Sequence, residues 1–156
     1  MGFNTYDTRI GAVSIQDGPE GILRVYLPNE ALPRGFAREE TPLLQEAASQ
    51  LEAYLQGERK SFTLPLTPRG TPFMERVWSL LVGIPYGETA TYGEIARRAG
   101  SPGASRAVGL ACRRNPIPLF IPCHRVIGSA GSLVGFGGGL ELKRVLLELE
   151  GYRFPD

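Results

Sequence analysis

The sequence predicts an α/β chain of the α+β kind, with a small N-terminal β-sheet domain that carries one helix, then a mainly helical C-terminal domain containing a helix-turn-helix. Three observations predict it. Short apolar runs separated by turn residues fill the first 28 positions. Helix-start signals and helical spacing dominate from Thr71 onward. The charge balance also changes sign along the chain: residues 1–70 hold 7 Lys and Arg against 9 Asp and Glu, and residues 71–156 hold 10 against 7. The linker-like TPRGTP lies at that change, so the domains are expected to span 1–68 and 69–156.

Each element has a local cause. Ile10, Ala12, Val13 and Ile15, the DGPEG turn and then ILRVYLP read as a hairpin or meander. Leu44, Ala47, Ala48, Leu51 and Leu55 stand at helical spacing. SFTLPL is a short strand candidate. Thr71-Pro72 supplies an N-cap and a first-turn proline for a helix that turns Phe73, Val77, Leu80 and Leu81 inward and stops at GIPYGET. Thr91 followed by Glu94 is a capping box opening a helix to Arg98. Ala99-Gly100-Ser101 is a tight turn, and Ser101-Pro102 is expected to cap the next helix, which ends before Asn115-Pro116. That pair of short helices is the helix-turn-helix. Its second helix has Ala104, Ala107, Val108 and Ala111 on an inward face, with Arg106, Gly109, Leu110 and Arg113 outward. In the final helix, GLELKRVLLELEG, the expected inward residues are Leu142, Val145, Leu146 and Leu149.

Composition bounds the function. With 156 residues, 42% hydrophobic and 21% charged, the chain is an ordinary globular one. Its longest uncharged stretch near the cysteines, Asn115 to Cys123, is far short of a bilayer span, and its start has neither a signal-peptide pattern nor a myristoylation motif. Two cysteines are too few for a disulfide scaffold. The expected location is the cytoplasm, with no membrane association. Six arginines (97, 98, 106, 113, 114 and 125) against the single Glu94 within 89–127 form a basic stripe, the footprint of a polyanion site or of a solvated helix.

The only histidine stands beside one of the two cysteines in NPIPLFIPCHRV. Four readings of Cys123 fit the spacing: an inert core thiol, a disulfide with Cys112, a zinc ligand completed by carboxylates, or a nucleophile with His124 as its base. On an extended segment adjacent side chains diverge, so direct Cys–His contact would need a bridging water or a local bend. Glu150, at the unfavourable end of the last helix dipole, is a candidate to orient the imidazole.

IPCHRVIG, preceded by SRAVGLACRRNPIPLF and IPYGETATYGEIA and followed by GFGGGLELKRVLLELEG, resembles the 6-O-alkylguanine-DNA alkyltransferases over Pro72 to Gly151. The resemblance implies a single-use repair protein that flips an alkylated guanine out of duplex DNA and moves the alkyl group to its own cysteine, with no cofactor and no metal. It implies Cys123 as nucleophile, His124 as base acting through a water, Glu150 as the partner of that histidine, and Tyr92 as proton donor and aid to flipping. Arg106 would fill the hole left in the stack, entering from the minor groove with little sequence specificity, on a helix that also offers Ser105 and Gly109 to DNA. Asn115 would tie the helix-turn-helix to the active-site segment, and Asn115, Val134, Phe136 and Gly137 would belong to the base pocket. Phe136 stands where relatives often carry tyrosine, and Gly137 where some carry serine or alanine. A side-chain hydroxyl is lost there, leaving backbone donors and implying tolerance for larger alkyl groups. The expected partner is double-stranded DNA bearing 6-O-alkylguanine, met by a monomer. The alternative reading is a non-enzymatic binder of alkylated DNA that recruits other repair factors; such proteins lack the cysteine. A transcription regulator or a zinc-held domain would be further alternatives.

Overall fold

A computed structural model describes residues 2–131, 136 and 138–154, and these form two compact units that change over between Arg69 and Gly70. The first unit is an antiparallel meander, β1 (Phe3–Thr8), β2 (Gly11–Asp17) and β3 (Ile22–Tyr26), in that spatial order. Gly11, at φ 106°, closes the first hairpin in a conformation that side chains disfavour. Helix α1 (Pro42–Leu55) starts where the Thr41 hydroxyl accepts from the Leu44 N–H. It buries Leu44, Ala47, Leu51 and Tyr54, and Val13, Ile15, Ile22 and Val25 of the sheet are buried as well. SFTLPL is not a strand. It adds a single bridge, Ile22 to Leu66, and beside it Pro65 has no N–H to extend a ladder.

The second unit carries α2 (Pro72–Val82), β4 (Ala90–Thr91), α3 (Tyr92–Arg98), α4 (Ser105–Arg113), β5 (Val126–Ile127) and α5 (Leu140–Leu149). The Thr71 cap and the Thr91–Glu94 capping box both form. α2 turns Val77, Trp78 and Leu81 inward, and the Trp78 indole donates to the Ala111 carbonyl at 2.8 Å, fixing α2 to α4. Strands β4 and β5 pair in parallel through Ala90–Val126 and Thr91–Ile127. This short pairing is what brings the start of α3 beside the Cys-His-Arg segment.

Three local expectations are corrected. α4 begins at Ser105, not at the Ser101-Pro102 pair, because Ser101 is spent in a turn that its carbonyl closes with the Ala104 N–H at 2.9 Å. Ala107 is exposed; Val108 and Ala111 alone are buried in that helix. In α5 the buried residues are Lys143, Leu146 and Leu147, while Val145 is 42% exposed. With Glu150 just beyond, positions 143, 146, 147 and 150 make one helical stripe that begins and ends on a charge. No helix among the described residues is long and apolar enough to cross a membrane.

Candidate active site

The segment after α4 is braced from within. The Asn115 amide donates to the Ile121 carbonyl at 2.9 Å, and its oxygen accepts from the Ile117 N–H at 2.9 Å. Leu119 sits at φ 76°, a costly conformation for a leucine, yet its side chain is buried. Residues 117–127 are all buried. The chain then turns at Cys123–Arg125 through a single turn of 3₁₀ helix, closed by the Arg125 N–H on the Pro122 carbonyl at 3.0 Å. The backbone is therefore bent at Cys123 and does not run on as an extended segment.

His124 is completely buried, and its Nε2 lies 2.8 Å from Glu150 Oε2. Glu150 is held by more than the histidine. Arg125 donates through Nε to Oε1 at 2.8 Å and through Nη2 to Oε2 at 3.0 Å, a bidentate pair. The Gly87 N–H approaches Oε1 at 3.3 Å. Arg125 spans further, giving Nη1 to the Ile84 carbonyl at 2.6 Å, and the Tyr86 hydroxyl donates to the Leu149 carbonyl at 3.1 Å. The GIPYG turn, the Cys-His-Arg turn and the end of α5 are thus fastened at one carboxylate. Arg125 drops out of the basic stripe, since it is buried and paired.

Burial governs the titrating groups. It pushes the Cys123 thiol up to about 11, against the lowering effects of the Asn115 amide and the Lys143 ammonium. It holds His124 below its ordinary range, against the pull of Glu150, so the ring is neutral near pH 7 and able to accept a proton. Tyr92, at the first position of α3, is pushed up to about 12, chiefly by burial and then by Cys112 and Cys123, so its hydroxyl keeps its proton. Both cysteines are free thiols. Among the described residues no group of three or more His, Cys, Asp or Glu side chains could hold a metal ion.

On α4 the outward face is as expected. Arg106, Arg113 and Ser105 are exposed, and Leu110 is 38% exposed. A Cβ built on Gly109 would meet nothing nearer than the Tyr92 ring at 3.9 Å, ordinary contact. Among the described residues no other helix comes close enough there to require a glycine. Asn115 is 7% exposed, a brace behind the cysteine more than a wall open to a ligand. Phe136 is half-buried, and its carbonyl accepts from the Gly139 N–H at 2.9 Å. Val134 and Gly137 lie outside the described residues.

Two residues were missed from the sequence. Arg125 was counted as surface charge, although its place beside His124 could have marked it as Glu150's second partner. Lys143 is absent from the expected inward face, since lysine is almost never fully buried, yet it is buried here. Its spacing from Leu146, Leu147 and Glu150 was the available signal.

The model for the 6-O-methylguanine DNA methyltransferase DNA-binding domain matches residues 72–152, and that for the ribonuclease-like domain of the same proteins matches residues 1–68. The methylated-DNA–protein-cysteine methyltransferase of Methanosarcina acetivorans is 46% identical over 97% of this chain and 99% of its own. The constitutive enzyme of that name from Bacillus subtilis is 44% identical over 99% of this chain and 98% of its own. The crystal structure of Mycobacterium tuberculosis OGT in complex with DNA superposes with a TM-score of 0.90 at 44% identity, covering 96% of this chain and 92% of that one.

Proposed function

We propose, for a chain that belongs to the 6-O-methylguanine DNA methyltransferase family, that Cys123 is the alkyl acceptor of a single-use DNA repair reaction. The chain binds DNA and removes the alkyl group from a 6-O-alkylguanine by taking it onto its own cysteine. The observation that carries the assignment is the 2.8 Å contact between His124 and Glu150, next in the chain to a buried thiol.

The Cys123 proton passes to His124 through a water, and Glu150 stabilises the imidazolium that forms. The thiolate attacks the alkyl carbon. A sulfur–carbon bond forms, the carbon–oxygen bond breaks, and its electron pair goes to the guanine, which takes a proton from Tyr92. The thioether has no route to hydrolysis, so each molecule acts once. The presence of Cys123 argues against the binder-recruiter alternative.

The target atom is inside a stacked duplex, so the nucleotide has to be extruded at a cost of a few kcal/mol. The exposed arginines, Gly109 and Leu110 of α4 offer backbone contact and close approach, with few amide side chains to read base edges, which supports minor-groove binding with little sequence specificity. Arg106 fills the vacated position in the stack. Phe136 belongs to the base pocket, and Ser105 contacts the backbone of the DNA. The protein acts as a monomer, and a cytoplasmic location accords with its two free thiols.

The test is Arg106→Ala, assayed on a duplex and on the free alkylated base. Because holding the stack open matters only in a duplex, the variant should lose roughly tenfold or more on duplex, the factor that 1.4 kcal/mol represents, and react normally with the base. Equal losses on both would assign Arg106 to the pocket or the fold.

A further inference from the structure

Trp78 is the only tryptophan of the chain and lies 2% exposed on the inward face of α2. Its indole N–H donates to the Ala111 carbonyl at 2.8 Å, and Ala111 is fully buried near the end of α4. The sequence explains why that carbonyl is open. In an uninterrupted helix it would accept from the N–H of residue 115, and the Cys112 carbonyl from that of residue 116. Residue 116 is proline and has no N–H. The Asn115 N–H goes to the Cys112 carbonyl instead, at 3.3 Å, and the Arg114 N–H to the Leu110 carbonyl at 2.9 Å. Ala111 thus keeps one of the orphan carbonyls of a helix C-terminus, and the indole of another helix closes it. At its other end α4 has no side-chain cap, and only Val108 and Ala111 of it are buried. The indole is itself confined. A Cβ on Gly70 would lie 2.5 Å from its Cη2 atom, so the backbone there closes on the edge of the ring.

We propose that Trp78 is a positioning residue for the repair of duplex DNA. By capping the C-terminal end of α4 it fixes the register of that helix, and so the placement of Arg106, against the Cys123 segment. This rests on Cys123 being the alkyl acceptor and on Arg106 filling the stack.

The division of labour follows from what each side depends on. Arg106 stands five residues before Ala111 on the same helix, about 7.5 Å along its axis. A slide or tilt at the capped end is therefore carried to the arginine. The acceptor side does not need the cap. The Asn115 side chain braces that segment from within, on the Ile117 N–H and the Ile121 carbonyl. Loss of the indole N–H should disturb the DNA face and leave Cys123 in place.

The experiment replaces the sole tryptophan by 3-benzothienylalanine, whose ring keeps the indole shape with sulfur in place of N–H. Protein carrying 5-fluorotryptophan, which keeps the N–H, is the control. Trp78→Phe would also remove the donor, but it leaves a void in the core, so the analogue of equal shape is the better variant. Single-turnover rates are read on saturating 6-O-methylguanine duplex and on the free base. The sulfur analogue should lose roughly tenfold on duplex, the scale of leaving one buried acceptor without its donor, and react with the free base at the parent's rate. The fluorinated protein should match the parent on both. In an Arg106→Ala background the sulfur analogue should cause no further loss on duplex, because the two residues act through one contact. Equal losses on both substrates would reduce Trp78 to a structural residue. A loss that adds in full to that of Arg106→Ala would mean it acts elsewhere, and an unchanged duplex rate would remove it from the reaction; each overturns the proposal. If the parent itself accepts no alkyl group on Cys123, the failure lies in the assignment of the acceptor, and the proposal falls with it.

Discussion

Glu150→Gln is expected to slow alkyl transfer and, in the same molecule, to destabilise the C-terminal unit by ~3–5 kcal/mol, the usual cost of removing one partner of a buried ion pair. From the sequence, an orienting Glu150 would be replaced with the fold intact, and a merely solvated glutamate at the helix end would be replaced with slight gain. The structure reverses that sign. The carboxylate takes two hydrogen bonds from Arg125, one from the Gly87 N–H and the contact to His124, all at a site 1% exposed. Glutamine leaves the Arg125 charge buried and uncompensated. The rate falls for a separate reason, since a neutral amide cannot stabilise the imidazolium. The two effects are separable in the double variant Arg125→Met with Glu150→Gln, which removes both charges. Thermal melting should recover much of the loss, while the single-turnover rate stays low. Recovery of both would reduce Glu150 to a structural brace.

Tyr92→Phe should lower the single-turnover rate by about 10²–10⁴, the range for losing a general acid, with little change in melting temperature. Phenylalanine keeps the ring beside Gly109 and under the Lys143 ammonium and removes the hydroxyl alone. Because the hydroxyl titrates at about 12, it is protonated across the whole working range, so the deficit should be constant from about pH 6 to 9. A rate equal to the parent's would mean that the guanine takes its proton from water or from another group.

The parts of the fold legible in the sequence were those fixed by local chemistry. Thr71-Pro72 and Thr91–Glu94 begin helices because a hydroxyl and a carboxylate satisfy the first backbone N–H groups, whatever the tertiary context. The meander was legible from its turns and apolar alternation. The errors came where tertiary contacts override local preference. Ser101 has the residue type of a cap, but its carbonyl closes a turn, so the helix waits for Ser105. SFTLPL alternates like a strand, but it finds only one bridge beside β3. In α5 the hydrophobic residues alone place the inward face one residue out of phase, because the true stripe runs through Lys143 and Glu150.

The site divides in the same way. The His124–Glu150 contact was legible as a hint in a carboxylate at the unfavourable end of a helix, while the roles of Cys123 and Tyr92 came from the family resemblance. The carboxylate's double duty was not, because nothing in a linear chain says that Arg125 turns inward and grips the residue that His124 also needs. Gly109 was legible as an outward-facing residue, and among the described residues a Cβ there would meet only the Tyr92 ring in ordinary contact. Buried charges are the hardest class to foresee, since each is unfavourable alone and reasonable only with its partners in view.

The most direct test is intact-protein and peptide mass spectrometry after mixing the chain with one equivalent of duplex DNA carrying a single 6-O-methylguanine. The expected result is the mass of one methylene added per protein molecule, located on Cys123, with Cys112 unmodified and the guanine in the DNA restored. Excess substrate should give no further reaction. Alkyl group found on Cys112, tight lesion binding with an unchanged protein mass, or repair of more than one equivalent per molecule would contradict Cys123 as a single-use acceptor.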